Sequence, residues 1–318
     1  MSPSELAQRA KAALAGLSDA IVGKDEVLRL LLAALLADGH VLIEDVPGVA
    51  KTTIAASFAA LLGLSFRRVQ FTPDLLPADL TGSFLYDQRG QSFTFRRGPV
   101  FTQILLADEI NRAAPKTQSA VLEAMQERQV TVEGESFPLE PPFLVIATQN
   151  PIELEGTYAL PEAELDRFLV RLAVGYPAAE EEARILRLRR ERRSARPRIE
   201  QVFAPAEFLA MQAALEDVFV DPSIENYIVQ VVRATREDQR LALGASPRAS
   251  LALMAMVRAV AGLEGRGFVT PDDVKRVSVP VLAHRLVLRP ENWGGQINAA
   301  HVVKGVLERI PAPAAEMR

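Results

Sequence analysis

The tightest constraint on the fold is a short apolar run that ends in a loop and passes straight into a helix. His40–Glu44 reads as a strand, and Lys51–Leu62 has helical spacing with Gly63 just past its end as a stop signal. Between them lies Asp45-Val46-Pro47-Gly48-Val49-Ala50. A helix that opens on Lys51 puts a cation where the helix dipole disfavours one, so an anion is needed there to justify it. Backbone N–H groups in such a loop and at the helix start aim at phosphate oxygens. Lys51 would reach the β- and γ-phosphates of a nucleotide, and Thr52 would ligand Mg2+. The strict phosphate-loop pattern wants glycine where Asp45 and Ala50 stand, so the segment taken alone is only moderately specific.

Composition removes several other chemistries. The chain has 318 residues, and at roughly 100–200 residues per domain two domains are expected. A net charge of -4 argues against a polybasic nucleic-acid binder. No cysteine is present, which excludes disulfides, thiolate metal sites and cysteine nucleophiles. The three histidines, His40, His284 and His301, are scattered and most economically structural. No apolar run reaches about 18 residues, so no membrane-spanning helix is expected. The N-terminus lacks the basic region and apolar core of a signal peptide, and the expected location is the cytoplasm.

Periodicity divides the chain. Two helices fill residues 4–38. Strand-like runs follow at His40–Glu44, Phe66–Phe71, Gln103–Ala107, Pro142–Thr148 and Phe168–Val174, alternating with helical stretches such as Pro115–Arg128. That alternation predicts a mostly parallel sheet covered on both faces. Two hairpins interrupt it: Ser83–Tyr86 with Ser92–Arg96, and Val130–Val132 with Ser136–Leu139. Glu180–Arg193 is a charged helix, and Ser194–Pro197 is the linker candidate. Residues 205–310 read as helical throughout: Ala206–Leu215, Ser223–Leu241, Pro247–Leu263, Pro271–His284 and Ile297–Ile310. Asp221, Ser246 and Thr270 each precede a proline and are expected helix caps. The division is residues 1–197 as an α/β nucleotide-binding domain and 198–318 as a small all-α lid.

A second motif strengthens the first. Ile104-Leu105-Leu106-Ala107-Asp108-Glu109 is an apolar strand ending in paired acids. Asp108 at the strand end could hold Mg2+ through its water shell, and Glu109 could polarise an attacking water. Ala147-Thr148-Gln149-Asn150-Pro151 ends the next strand and would lie between the acids and the loop, where Asn150 could orient the water or contact the γ-phosphate.

Taken together, Gly23, Asp45–Thr53, Asp108–Arg112, Ala147–Pro151 and Leu160–Phe168 resemble the AAA+ ATPases, specifically the MoxR family. Asp108-Glu109-Ile110-Asn111-Arg112-Ala113 and Leu160-Pro161-Glu162-Ala163-Glu164-Leu165-Asp166-Arg167-Phe168 carry most of the likeness, and Ala50-Lys51-Thr52 is usual there. The resemblance implies a P-loop αβα sandwich with a five-stranded sheet and two hairpin inserts, an ATP/ADP site with Mg2+, and a hexameric ring. It places Val22, Gly23, Asp45, Pro47, Gly48, Val49, Ala50, Lys51, Thr52, Thr53 and Asp108 at the nucleotide, with Thr52 and Asp108 toward the metal. It makes Asn150 a sensor, Arg167 an arginine finger reaching a neighbouring subunit's nucleotide, and Arg248 a lid sensor. It also implies chaperone-like work on protein partners, often with von Willebrand factor A domains.

Several alternatives stand at this point. Arg167 could instead pair locally with Asp166 or Glu164, Arg248 could be a surface arginine, and Arg112 is an open candidate for a second trans contact. The first-turn position of Arg248, after Ser246 and Pro247, is unfavourable for a cation unless it faces an anion. The arginines at 184, 187, 189, 190, 192, 193, 196 and 198 suggest nucleic acid. The interleaved Glu180, Glu181, Glu182 and Glu191 favour a solvated or intersubunit face. A nucleic-acid-remodelling motor and a non-hydrolysing nucleotide switch are therefore the competing functions. Trp293 reads as a contact residue near a turn.

Overall fold

The computed structural model describes residues 1–313 except Asp19, Pro47, 151–156, 195–196 and 294–296. Pro47, Pro151, Arg196, Gly294, Gly295 and the middle of the Ser194–Pro197 linker thus lie outside the described residues.

Five parallel strands form the central sheet in the order β2-β5-β8-β1-β9: β1 (Val41–Glu44), β2 (Phe66–Gln70), β5 (Ile104–Asp108), β8 (Leu144–Gln149) and β9 (Val170–Leu172). The three inner strands β5, β8 and β1 are nearly all apolar and buried, as a sheet covered on both faces requires. Edge strand β2 instead exposes Arg67 and Arg68.

Alternate strand residues feed two cores. Val41, Ile43, Ile104, Leu106, Leu144 and Ile146 pack with α1 (Pro3–Leu17), α2 (Asp25–Leu36) and α3 (Lys51–Leu62). Leu42, Leu105, Ala107, Val145 and Ala147 face α4 (Pro77–Thr81) and α5 (Pro115–Glu127). In α3, Ile54, Phe58, Leu61 and Leu62 are fully buried, each contributing roughly 1.5–3 kcal/mol. Gly63 ends that helix at φ 65°, in the left-handed region that glycine enters without strain.

The hairpins are β3 (Gly82–Asp87) with β4 (Ser92–Arg97), and β6 (Gln129–Val132) with β7 (Glu135–Pro138). They are joined to each other: Phe95 stacks on Phe137 with centroids 4.0 Å apart, and Phe84 and Phe101 lean on Phe95. After β9 comes the helical part. α6 (Glu162–Leu165) precedes β9, and α7 (Ala179–Arg192), α8 (Pro205–Ala214), α9 (Pro222–Arg236), α10 (Pro247–Leu263), α11 (Pro271–Leu282) and α12 (Ala299–Arg309) follow it. α1 and α2 pack against α10, so one continuous core runs from the sheet into the helical part.

The helical part is not helical throughout. The helix expected to reach Leu241 stops at Arg236, and β10 (Leu241–Leu243) pairs antiparallel with β11 (Val287–Leu288). Asp238 causes the break: its carboxylate accepts from the backbone and guanidinium of Arg240 and from Arg309. Asp221 caps α9 through the Ser223 N–H, as expected, but Ser246 does not cap α10. Its hydroxyl donates instead to Asp166, 3.1 Å away.

His40 and His284 are buried. His40 Nδ1 accepts from the Val145 N–H at 3.0 Å, and Nε2 lies 3.1 Å from the Met125 carbonyl. Burial pushes its pKa down to about 3, and burial also lowers that of His284, helped by the adjacent Arg285. Only the folded state opposes protonation of these rings. Their stabilisation is therefore complete above the unfolded value of about 6.5 and declines as pH falls below it. Between pH 7.5 and 5, His40→Gln is expected to lose about 2 kcal/mol less stability than the parent in urea titrations. Equal losses would contradict the assignment.

Candidate active site

The loop after β1 and the first turn of α3 form one wall of a cleft of about 310 Å³, through Gly48, Ala50, Lys51, Thr52 and Thr53. Asp108, Glu109 and Asn150, at the carboxyl ends of β5 and β8, form the other. The sheet order explains the meeting: β8 lies between β5 and β1, with Ala107 opposite Ala147 and Ile43 opposite Thr148.

The loop is held in a strained turn. Ala50 sits at φ 60°, ψ 21°, a left-handed conformation that costs a non-glycine residue about 1–2 kcal/mol. This is the position where the strict motif has glycine. Lys51 Nζ donates to the carbonyl of Asp45 at 2.6 Å and to that of Gln149 at 3.3 Å, which ties the loop to the ends of β1 and β8. Asp45 does not line the cleft, and its carboxylate is engaged elsewhere. It accepts from the N–H groups of Val46 and Gly175 and so anchors the loop to the exit of β9.

Thr148 organises the acids. Its fully buried hydroxyl donates to Asp108 Oδ1 at 2.6 Å and accepts from the Glu109 N–H at 2.8 Å. Glu109 is itself left-handed, at φ 56°. The other face of the acids is held from the edge strand. Arg68 donates to Asp108 Oδ2 through Nε at 3.0 Å and Nη2 at 2.7 Å. Gln70 Nε2 donates to Glu109 Oε2 at 2.6 Å, and Arg112 Nη1 reaches the same oxygen at 3.0 Å. Thr148, Arg68 and Gln70 were not singled out by sequence. The only signal available for Thr148 was a hydroxyl among apolar residues late in a buried strand.

Other expected site residues lie outside the cleft wall. Val49 and Val22 are buried. Gly23, at φ 71°, rests against α7, where a Cβ would come within 1.9 Å of a Glu181 carboxylate oxygen. Arg248 lies 3.7 Å from Asp166 rather than in the cleft. Arg167 is half-buried, and among the described residues no ion pair involves it; Asp166 and Glu164, its expected local partners, bond Arg285 and Ser119 instead. α7 buries no residue, so its arginines and its acidic first turn share an exposed helix.

Known proteins repeat this plan. The model of the "ATPase family associated with various cellular activities" matches residues 40–170, and that of an AAA lid domain matches 233–304. A crystal structure from Cytophaga hutchinsonii superposes with a TM-score of 0.91 at 36% identity, covering 98% of this chain and 97% of that one. The Bacillus subtilis protein YeaC is 47% identical over 92% of this chain and 91% of its own. Chaperone MoxR1 of Mycobacterium tuberculosis is 45% identical over 92% of this chain and 79% of its own. Protein MoxR of Methylorubrum extorquens is 32% identical over 93% of each. This chain belongs to the MoxR family of AAA+ ATPases. As a MoxR-family ATPase it binds nucleotide and hydrolyses ATP. Among its described residues no helix is long and apolar enough to cross a membrane.

Thr148→Val tests the bridge. It leaves a buried carboxylate oxygen and an N–H short of a partner, so stability is expected to fall by about 1–3 kcal/mol. Turnover should drop at least tenfold while ATP affinity stays within a few-fold. Parent-like turnover in a folded Thr148→Val protein would contradict the role given to Thr148.

Proposed function

We propose that this MoxR-family protein hydrolyses Mg2+-ATP in a ring, hexameric as the family resemblance implies, and uses the cycle to remodel or mature protein clients. The observation that carries the catalytic part is the Thr148-bridged pair Asp108–Glu109 facing Lys51 and Thr52 across one cleft. A hydroxyl and a carboxylate suit Mg2+, which takes few protein ligands and keeps phosphate oxygens and waters. Thr52 Oγ1 and Asp108 Oδ2 lie 3.5 Å apart and would hold it. When bound, the cation neutralises charge on the phosphates.

The protein groups then divide the remaining work. Lys51 and the loop N–H groups, with Gly48, Val49, Ala50 and Thr53 setting the loop's shape, would bind the phosphates; Pro47 is assigned there by the family resemblance alone. Val22 and Gly23 would flank the nucleotide beside α7. Glu109 would take the proton of a water that attacks the γ-phosphorus as the bond to the bridging oxygen breaks and ADP leaves. Asn150 would orient that water. Arg167 would come from the next subunit, and Arg248 from the lid of the same one. Residues 1–197 and 198–318 are the moving parts, the second resting on α1 and α2. One relative is named a chaperone, which supports protein clients over nucleic acid; von Willebrand factor A domain proteins are the client class that the family resemblance implies.

Lys51→Ala is expected to abolish ATP binding in equilibrium titrations. Glu109→Gln should bind ATP and turn over at least a hundredfold more slowly, and should retain clients in affinity capture. Arg167→Ala should bind ATP without turnover, and mixing it with Lys51→Ala subunits should partly restore activity. Undiminished nucleotide affinity in Lys51→Ala, or parent-like turnover in Glu109→Gln, would overturn the reading.

A further inference from the structure

Asp166 stands between the two arginines the proposed function invokes. It follows α6, directly precedes Arg167, and bonds the helical half. Its Oδ1 accepts from Arg285 Nε at 2.7 Å, and its Oδ2 accepts from Ser246 Oγ at 3.1 Å with Arg248 Nη1 3.7 Å away. All three partners belong to the helical part: Ser246 and Arg248 at the start of α10, Arg285 in the 3₁₀ turn after α11.

Arg285 does more than pair with the carboxylate. Its Nη2 donates to the carbonyls of Asp166 at 3.2 Å and Phe168 at 2.7 Å, and its Nη1 to those of Leu169 at 3.2 Å and Val281. One guanidinium from the helical part thus fixes the backbone on both sides of Arg167. The Arg285 side chain is 3% exposed, so its charge depends on Asp166 as counter-ion. Arg248 is placed differently. It is 51% exposed and at 3.7 Å makes only a loose ion pair, one that an anionic phosphate could exchange for.

We propose that Asp166 is a positioning residue that couples the helical part of one subunit to the arginine which that subunit presents to its neighbour. The inference rests on the shared-site reading of Arg167 and Arg248. Arg285 anchors the Arg167 segment through the Asp166 carboxylate and the neighbouring carbonyls. Arg248 shares the same carboxylate and leaves it when a phosphate in its own subunit draws it away. The nucleotide state of one subunit thereby alters the anchorage of the arginine that serves the next.

Asp166→Asn in the full chain tests this. The amide keeps the size and can still accept from Ser246, but removes the charge that Arg285 and Arg248 share. ATP affinity and KM should stay within twofold of the parent, while kcat falls at least tenfold. Mixing Asp166→Asn with Lys51→Ala subunits should raise activity several-fold above the sum of the two alone, because the Lys51→Ala subunits supply a well-anchored Arg167. If Asp166→Asn does not fold, Asp166→Asn/Arg285→Gln, which strands no charge, is measured in the same way. Parent-like kcat in the folded variant overturns the proposal. So does a loss that mixing fails to restore while the Arg167→Ala/Lys51→Ala mixture is restored. If neither mixture recovers, the shared-site reading falls and takes this inference with it.

Discussion

The parallel alignment of β5, β8 and β1 is the constraint on which the site depends. Because the strands run the same way in adjacent positions, their carboxyl ends bring an acidic pair, a hydroxyl and the phosphate loop to one edge of the sheet. The central strand supplies the links. Thr148 bonds both Asp108 and Glu109, and one residue later the Gln149 carbonyl receives Lys51. A shift of one residue in β8 would exchange Thr148 for a side chain on the opposite face and would undo both links. The apolar alternation that feeds the two cores therefore sets the geometry of the cleft as well as the stability.

The local strain is concentrated at the same edge. Ala50 and Glu109 are both left-handed, and neither is glycine. Each is flanked by bonds that over-determine its conformation: Lys51 to two carbonyls on one side, and the Glu109 N–H to Thr148 on the other. Strained backbone of this kind persists where the surrounding structure holds it, and it pre-sets the groups that line the cleft. Farther from the cleft, Asp166 and Arg285 tie the sheet-bearing part to the helical part. That tie lies beside Arg167 in sequence and Arg248 in space.

What sequence made legible followed from the range of the signals. Strand, loop and helix around Lys51 are neighbours in the chain, and so are the apolar run and acids at Ile104–Glu109, so both motifs could be placed from periodicity and turn residues. The fold class was readable for the same reason. The partners of those acids were not. Arg68 and Gln70 reach them only because β2 pairs with β5, an adjacency that no local pattern specifies. Arg285 was passed over because its partner Asp166 lies 119 positions earlier. At Ser246 the sequence offered a capping residue before a proline, and a tertiary acceptor took the hydroxyl instead. The helix expected through Leu241 failed where Asp238 found three donors in a turn, a local competition that apolar periodicity does not register.

On the proposed function, the cleft is complete only when a second subunit contributes to it. The most direct test follows ATPase specific activity and solution mass together across a dilution series. Specific activity is expected to fall in step with the assembled fraction, and the monomer to be at least tenfold less active per chain. A monomer with the full specific activity of the assembly would contradict it.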